Sequence, residues 1–336
     1  MPSRSQFFLV AAVLASLAVS HFSDKINPYF LDVTIGVGIS VILAVSLNLI
    51  NGYTGQFSLG HAGFMSMGAY TSAAITTKWG PAILKSIGAG DASVSALFFC
   101  ALMAGGLVAA LAGLAVGIPS LRLKGDYLAI VTLGFGEIIK VILQNVDAVG
   151  ASRGMIGIPP YTNLFWTFGF AALTIYVVQS LVHSTYGRGF IAVSDDEVAA
   201  EAMGINTTRY KITAFVIGAF FAGIAGGIYA HFKQYIAPAG FDYNKSIEIV
   251  VMVILGGMGN TLGVIIAAVL LTLLPEWLRY VAGQSIGSWR LAWVADTRMI
   301  LYSLILIVMM LACPLGLTQV WHGLVKLWKK FRKTSA

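Results

Sequence analysis

Residues 29–50 read YFLDVTIGVGISVILAVSLNLI, twenty-two residues whose only charge is Asp32, near the start. An α-helix rises about 1.5 Å per residue, so such a run reaches across the roughly 30 Å hydrocarbon core of a bilayer. The same pattern recurs along the chain. Apolar spans fall at 6–21, 29–50, 57–77, 94–118, 127–145, 164–183, 211–233, 247–274 and 299–313, and nearly all charges lie in the gaps between them. Composition agrees: 58% of the 336 residues are hydrophobic and 10% are charged, against roughly 25% charged in a soluble domain. Mean hydropathy is +0.84. These figures exclude disorder, and two cysteines, Cys100 and Cys313, are too few for a disulfide-stapled secreted domain. The expected fold is all-α: a polytopic transmembrane helical bundle forming one unit over 1–336.

The net charge of +7 is local. The stretch 326–333 holds Lys326, Lys329, Lys330, Arg332 and Lys333 and no acid. A basic cluster beyond a last apolar span fits the positive-inside rule, so 319–336 reads as a basic cytoplasmic tail. Nucleic-acid binding, which needs a basic face on a soluble fold, is excluded. Arg4 followed by Phe7–Val19 has the look of a signal peptide, but Ser20-His21-Phe22 is a poor cleavage site, and the expectation is an uncleaved first helix. Arg122 and Lys124 mark 119–126 as cytoplasmic, and Arg188, Arg209 and Lys211 do the same for 184–210. Both termini then lie in the cytoplasm, provided that 247–274 enters and returns as a re-entrant pair with 275–298 on the outer side.

A break at Gly256-Gly257-Met258-Gly259-Asn260 makes that possible, since glycines in a helix interior cost about 1 kcal/mol each. A second interruption covers Asn51-Gly52-Tyr53-Thr54-Gly55-Gln56-Phe57-Ser58-Leu59-Gly60-His61-Ala62-Gly63. Transporters built from internal repeats place broken helices at corresponding positions of their two halves, beside the substrate path. The expected translocation-path residues are therefore Asn51, Gly52, Gly55, Gln56, Ser58, His61, Gly256, Gly257, Gly259 and Asn260, with an internal pseudo-repeat. Close helix packing through small residues is the alternative.

The run Leu47–His61 resembles permease subunits of ABC importers for branched-chain amino acids. So do Thr132-Leu133-Gly134-Phe135-Gly136-Glu137-Ile138-Ile139, Ala199-Ala200-Glu201-Ala202-Met203-Gly204-Ile205-Asn206 and the break at 256–260. The block at 199–206 is similar to the LivM type rather than the LivH type. Three positions depart from the pattern: Val198 replaces the Glu of the general ABC-permease signature, Ala151-Ser152-Arg153-Gly154 stands for Thr-Gly-Gly, and Cys313-Pro314 stands for Arg-Pro. The resemblance implies a second permease of the LivH type, two cytoplasmic ATPases, a periplasmic substrate-binding protein and a bacterial inner-membrane location. Urea or short-chain amides are alternative substrates within the family. An ion-coupled secondary transporter is the alternative of a different class.

The chain has no G-x-x-x-x-G-K-[ST] and no H-E-x-x-H, and its five histidines are scattered. No catalytic residue, metal site or cofactor is expected, and ATP and Mg belong on partner subunits. Asp32, Glu137, Lys140 and Glu248 are the intramembrane charges, functional suspects by position. Glu137 and Lys140 share a helix face and can pair. Glu248 reads as a first-turn acid favoured by a helix dipole, and His61 as a hydrogen-bonding partner within the bundle. In 184–210, Ser194 is placed to cap a helix at 195–203, Glu197 completes a capping box, and Gly204 stops it. Glu197, Ala199, Ala200, Glu201, Ala202 and Gly204 are the expected ATPase-coupling residues, through a small-residue face that fits a groove on another protein.

Overall fold

The computed structural model describes residues 27–88, 90–120, 125–282, 285–286, 289–290, 292–312 and 316. The expected span at 6–21, the charges Arg122 and Lys124 and the tail at 319–336 lie outside these residues. Twelve α-helices follow one another: α1 (Pro28–Asn51), α2 (His61–Ala74), α3 (Gly80–Ile87), α4 (Asp91–Ser120), α5 (Asp126–Asn145), α6 (Leu164–Val182), α7 (Gly187–Asp195), α8 (Glu197–Ala202), α9 (Thr207–Lys233), α10 (Tyr243–Gly256), α11 (Thr261–Ala282) and α12 (Ala292–Ala312). Two two-stranded antiparallel ribbons accompany them, Met155–Ile156 with Tyr235–Ile236 and Ser285–Ile286 with Trp289–Arg290. Among the described residues, six helices are long and apolar enough to cross a membrane: α1, α4, α5, α6, α9 and α11.

Their order in space follows from side-chain size. α1 is apolar all round and is buried from Gly38 to Asn51, as a central helix must be. α9 packs against α4 and α2 through glycines, which let backbones approach. A Cβ on Gly105 of α4 would lie 2.8 Å from the Gly68 carbonyl of α2, and one on Gly223 of α9 would lie 2.8 Å from the Gly105 carbonyl. Larger side chains at this three-way crossing would force the helices apart. A π-turn, Ile75–Trp79, joins α2 to α3, and Thr76 Oγ1 there meets the buried His231 Nε2 at 2.8 Å.

One span differs from expectation, and another is divided as expected. The stretch 57–77 is not one helix: 52–60 is irregular, and helix begins only at His61. The irregular backbone persists because side chains satisfy it: Asn51 Oδ1 accepts from Ser58 N at 3.2 Å, and Thr132 Oγ1 accepts from Leu59 N at 3.0 Å. The stretch 247–274 is two helices, α10 and α11, broken as expected at Gly257–Asn260. Gly257 and Gly259 have φ of 94° and 79°, which L side chains rarely adopt. Gly256 abuts Val264, while Glu248 and Thr272 line one cavity, so α10 and α11 run antiparallel as a hairpin.

The hairpin fixes which elements of the C-terminal half share an end of the bundle. Its tip lies beside the end of α1, where Gly259 N donates to Asn48 Oδ1 at 3.0 Å. Gly55 of the same corner abuts Ser194 of α7, and Gly316, beyond α12, abuts Gly257. Residues 184–210, the hairpin tip and the start of the C-terminal segment thus share one end of the bundle. The ribbon of Met155–Ile156 with Tyr235–Ile236 marks the other.

Candidate functional site

The two glycine clusters meet each other. Besides the Asn48–Gly259 bond, Tyr53 Oη and Thr261 Oγ1 lie 2.8 Å apart, and Gly52 has no room for a Cβ beside Asn48 and the Gly259 backbone. Gly52, Gly256, Gly257 and Gly259 are thus held in close packing between α1 and the hairpin tip, with Asn260 Oδ1 accepting from Gly263 N at 3.1 Å. The small-residue reading accounts for these positions.

The polar side chains of the first break are different. Ser46 Oγ donates to Leu43 O at 3.0 Å and lies 2.9 Å from His61 Nε2. His61 therefore bonds within the bundle as expected. Asn48 Nδ2, Gln56 Oε1, Ser58 Oγ and His61 Nδ1 are buried with no protein partner among the described residues. All four fall within 48–61. Buried polar atoms are nearly always hydrogen-bonded, so four exceptions within one break set it apart from the rest of the bundle.

From this break α2 starts inside the bundle, and α10 starts beside it. Ala62 N donates to Ser246 Oγ at 3.1 Å, and a cavity of about 10 Å³ is lined by Leu59, Gly63, Leu133, Glu137, Asp242 and Tyr243 among others. It holds one water at most, so the bundle is closed here. On the other side of the first turns of α10 a larger cavity, about 170 Å³, is lined by Asp32, Lys233, Lys245, Glu248 and Glu276, with Ile39, Ser40 and Met65 among its apolar and small polar walls.

Each of the four intramembrane charges is paired: Asp32 with Lys233 at 3.4 Å, Glu137 with Lys140 at 2.7 Å, and Glu248 with Lys245 at 2.8 Å. Glu248 is not a first-turn acid. α10 starts at Tyr243, capped by Asp242, whose Oδ1 accepts from Lys245 N at 3.1 Å, and this puts Glu248 in the second turn. The sequence reading began the span at 247 because Asp242 and Lys245 read as loop, whereas they are a cap and a paired first-turn residue.

The loop 184–210 carries two short helices, α7 and α8, and its capping differs from expectation. Ser194 lies inside α7. The cap is Asp196, whose Oδ1 accepts from Val198 N at 2.9 Å and Ala199 N at 3.0 Å. A carboxylate two residues before the first free N–H reaches it better than a hydroxyl four residues back. Glu197 instead bonds Lys211 at 2.6 Å, and Glu201 accepts from Thr207 Oγ1 at 2.6 Å, so both carboxylates tie α8 to α9. Gly204, φ 82°, ends the helix as expected. Ala200 faces inward at 4% exposure and is no docking surface. Ala199 and Ala202 are exposed, with Val198 at 67% and Met203 at 83%.

Ser46, Asn48, Thr132 and Ser246 were not among the expected site residues. Polar residues in otherwise apolar stretches, as in Ser46 and Asn48 of LAVSLNLIN, are the signal that points to them.

Residues 29–312 match the family described as branched-chain amino acid transport system, permease component. The chain belongs to this family. Among its members, the high-affinity branched-chain amino acid permease protein LivM of Salmonella typhimurium (strain LT2) is 32% identical over 311 residues, 82% of this chain and 69% of that protein. LivM of Escherichia coli K12 matches at the same identity and coverage. LivH of E. coli K12 is 24% identical over 72% of this chain and 82% of its own length. No solved structure matches. The permease relationship and the six helices that, among the described residues, are long and apolar enough to cross a membrane together support a multi-pass membrane protein.

Proposed function

We propose that this chain is a permease subunit of an ATP-driven importer that moves branched-chain amino acids across the bacterial inner membrane into the cytoplasm. The observation that carries this reading is the family match over 29–312. The similarity to LivM at 32%, above that to LivH at 24%, supports pairing with a second permease of the LivH type. ATP and Mg sit on two ATPase subunits, and this chain contributes the transmembrane path.

The end carrying 184–210 is the cytoplasmic one. Arg188, Arg209 and Lys211 support this, and the exposed Val198, Ala199, Ala202 and Met203 present an apolar ridge to an ATPase groove. The periplasmic binding protein delivers substrate at the opposite end, where the charged cavity of Asp32, Lys233, Lys245, Glu248 and Glu276 opens. Substrates of this class carry an ammonium, a carboxylate and an apolar side chain. A path for them needs sparse polar groups at membrane depth and apolar walls. Gln56, Ser58 and His61 supply the first, and Leu59, Leu133 and Phe241 supply the second.

Uptake of labelled leucine into proteoliposomes tests the assignment. With both permeases and the ATPases in the membrane, uptake is expected only with ATP and the loaded binding protein. Uptake driven by a proton or sodium gradient without the ATPases overturns it.

A further inference from the structure

At the end of the bundle opposite 184–210, a cavity of about 170 Å³ lies between α1, α9, α10 and α11, with Met65 of α2 at its wall. Asp32 and Ser40 both line it from α1, so it reaches about 12 Å along that helix. Clefts for drug-sized ligands run to about 300–1,000 Å³, and a single water needs about 10–15 Å³. The space between these limits suits a free amino acid.

The wall carries both signs of charge beside apolar area. Lys233 and Lys245 bring ammonium groups, Asp32, Glu248 and Glu276 bring carboxylates, and Val33, Ile39 and Tyr229 bring apolar surface. The charges balance: Asp32 pairs with Lys233, Glu248 with Lys245, and Glu276 with Arg279 at 3.0 Å. Helix stapling does not account for them all, because Lys245 and Glu248 sit one turn apart on a single helix and tie no two elements together. The pairs are also accessible. Lys245 is 28% and Glu248 40% exposed, and Asp32–Lys233 is loose at 3.4 Å. A groove on α11 makes the contrast, since Ile265, Ile266, Val269 and Leu273 line it without a charge, as lipid contact requires. Ionisable groups in a membrane bundle mark substrate paths by default. The neutrality of this wall selects the ligand. A lone cation or anion would leave one member of a pair unmatched, whereas a molecule with one ammonium and one carboxylate extends a pair to four alternating charges.

We propose that this cavity binds the zwitterion of a free α-amino acid with an apolar side chain. The carboxylate meets Lys245, the ammonium meets Glu248, and the side chain lies against Val33 and Tyr229. The inference rests on the permease reading above and adds a substrate site held by this subunit alone, apart from the binding protein.

The test measures binding of labelled leucine to the complete permease–ATPase complex in nanodiscs, with the binding protein left out. Saturable binding is expected. Competition by 3-methylbutylamine and 4-methylpentanoate, which each lack one charge, is expected to be weaker than by unlabelled leucine by about tenfold or more. Glu248→Gln and Lys245→Met are each expected to weaken binding about tenfold or more, the loss of one charge-assisted hydrogen bond. Gly36→Val fills the cavity from a position where a Cβ meets only Thr272, at 3.9 Å, and is expected to abolish binding even where a charge variant fails to assemble. No saturable binding, or binding that all three variants leave unchanged, overturns the proposal. Competition by phosphoethanolamine equal to that by leucine assigns the cavity to a lipid headgroup and also overturns it. ATP-driven leucine uptake with the binding protein present is read alongside. Uptake without binding at this cavity leaves the function standing and sinks the site, while binding without such uptake defeats the function and leaves the site.

Discussion

Replacing Met203 by Ser isolates the docking step from the folding of the chain. Met203 is 83% exposed, so its side chain contributes little to the subunit's own stability and is free to be covered by a partner. Full burial of a methionine is worth about 1.5–3 kcal/mol. With roughly four-fifths of that area still to be covered, docking stands to lose about 1.2–2.5 kcal/mol, or about 7- to 60-fold in ATPase affinity at 1.4 kcal/mol per tenfold. Ala200→Trp would not serve: at 4% exposure, the larger side chain would be forced into the packing that holds α8 on the bundle. The assay titrates purified ATPase subunits against permease pairs in nanodiscs and reads hydrolysis stimulated by loaded binding protein. Met203→Ser is expected to raise the half-saturating ATPase concentration within that range and to leave the thermal midpoint of the permease unchanged. The double variant with Val198→Ser is expected to shift it further. An unchanged half-saturation for both variants refutes the docking role of this ridge.

Single cysteines at Met203 and Met258, in a background lacking Cys100 and Cys313, are expected to react from the cytoplasmic side and one at Tyr235 from the outer side; reaction of positions 258 and 235 from the same side contradicts the hairpin. Lys211→Met removes a charged partner of Glu197, and loss of a hydrogen bond between charged groups costs about 1.5–3 kcal/mol. Faster proteolysis or hydrogen exchange confined to 196–206 is the expected result, and wild-type exchange there shows that the pair holds nothing. Ser46→Ala removes the hydroxyl 2.9 Å from the buried His61 Nε2 and is expected to lower stability by about 1–3 kcal/mol, read as a lower thermal midpoint of the detergent-solubilised protein.

Crossing helices were legible because bilayer thickness sets the length of an apolar run. The sequence reading at 29–50, 127–145 and 164–183 meets helices at Pro28–Asn51, Asp126–Asn145 and Leu164–Val182. The break at 256–260 was equally plain, since four residues with two positive φ values need glycine. What escaped depends on contacts distant in sequence. The interruption at 51–63 was legible from its glycines, but the point where helix resumes was not, because Asn51 and Thr132 hold the backbone irregular up to Gly60. The inward turn of Ala200 is equally hidden: among the alanines of the run 199–202, only tertiary packing decides which one is buried. The different surroundings of Gly134 and Gly136 are equally invisible in the sequence: a Cβ on Gly136 would meet Gly60 at 3.7 Å, and one on Gly134 would meet nothing.

The shortness of α10 has a consequence for biogenesis. Its 14 residues extend about 21 Å, less than the hydrocarbon core, so it cannot anchor itself when it leaves the ribosome. The chain must keep α10 waiting until the 22 residues of α11 emerge, and the two then enter the bilayer as one hairpin, closed at Gly257–Asn260. A nascent chain stalled after 260 would therefore leave Tyr243–Gly256 in water, although it already contains every residue of that helix. For this segment, membrane integration is expected to proceed as a helical pair.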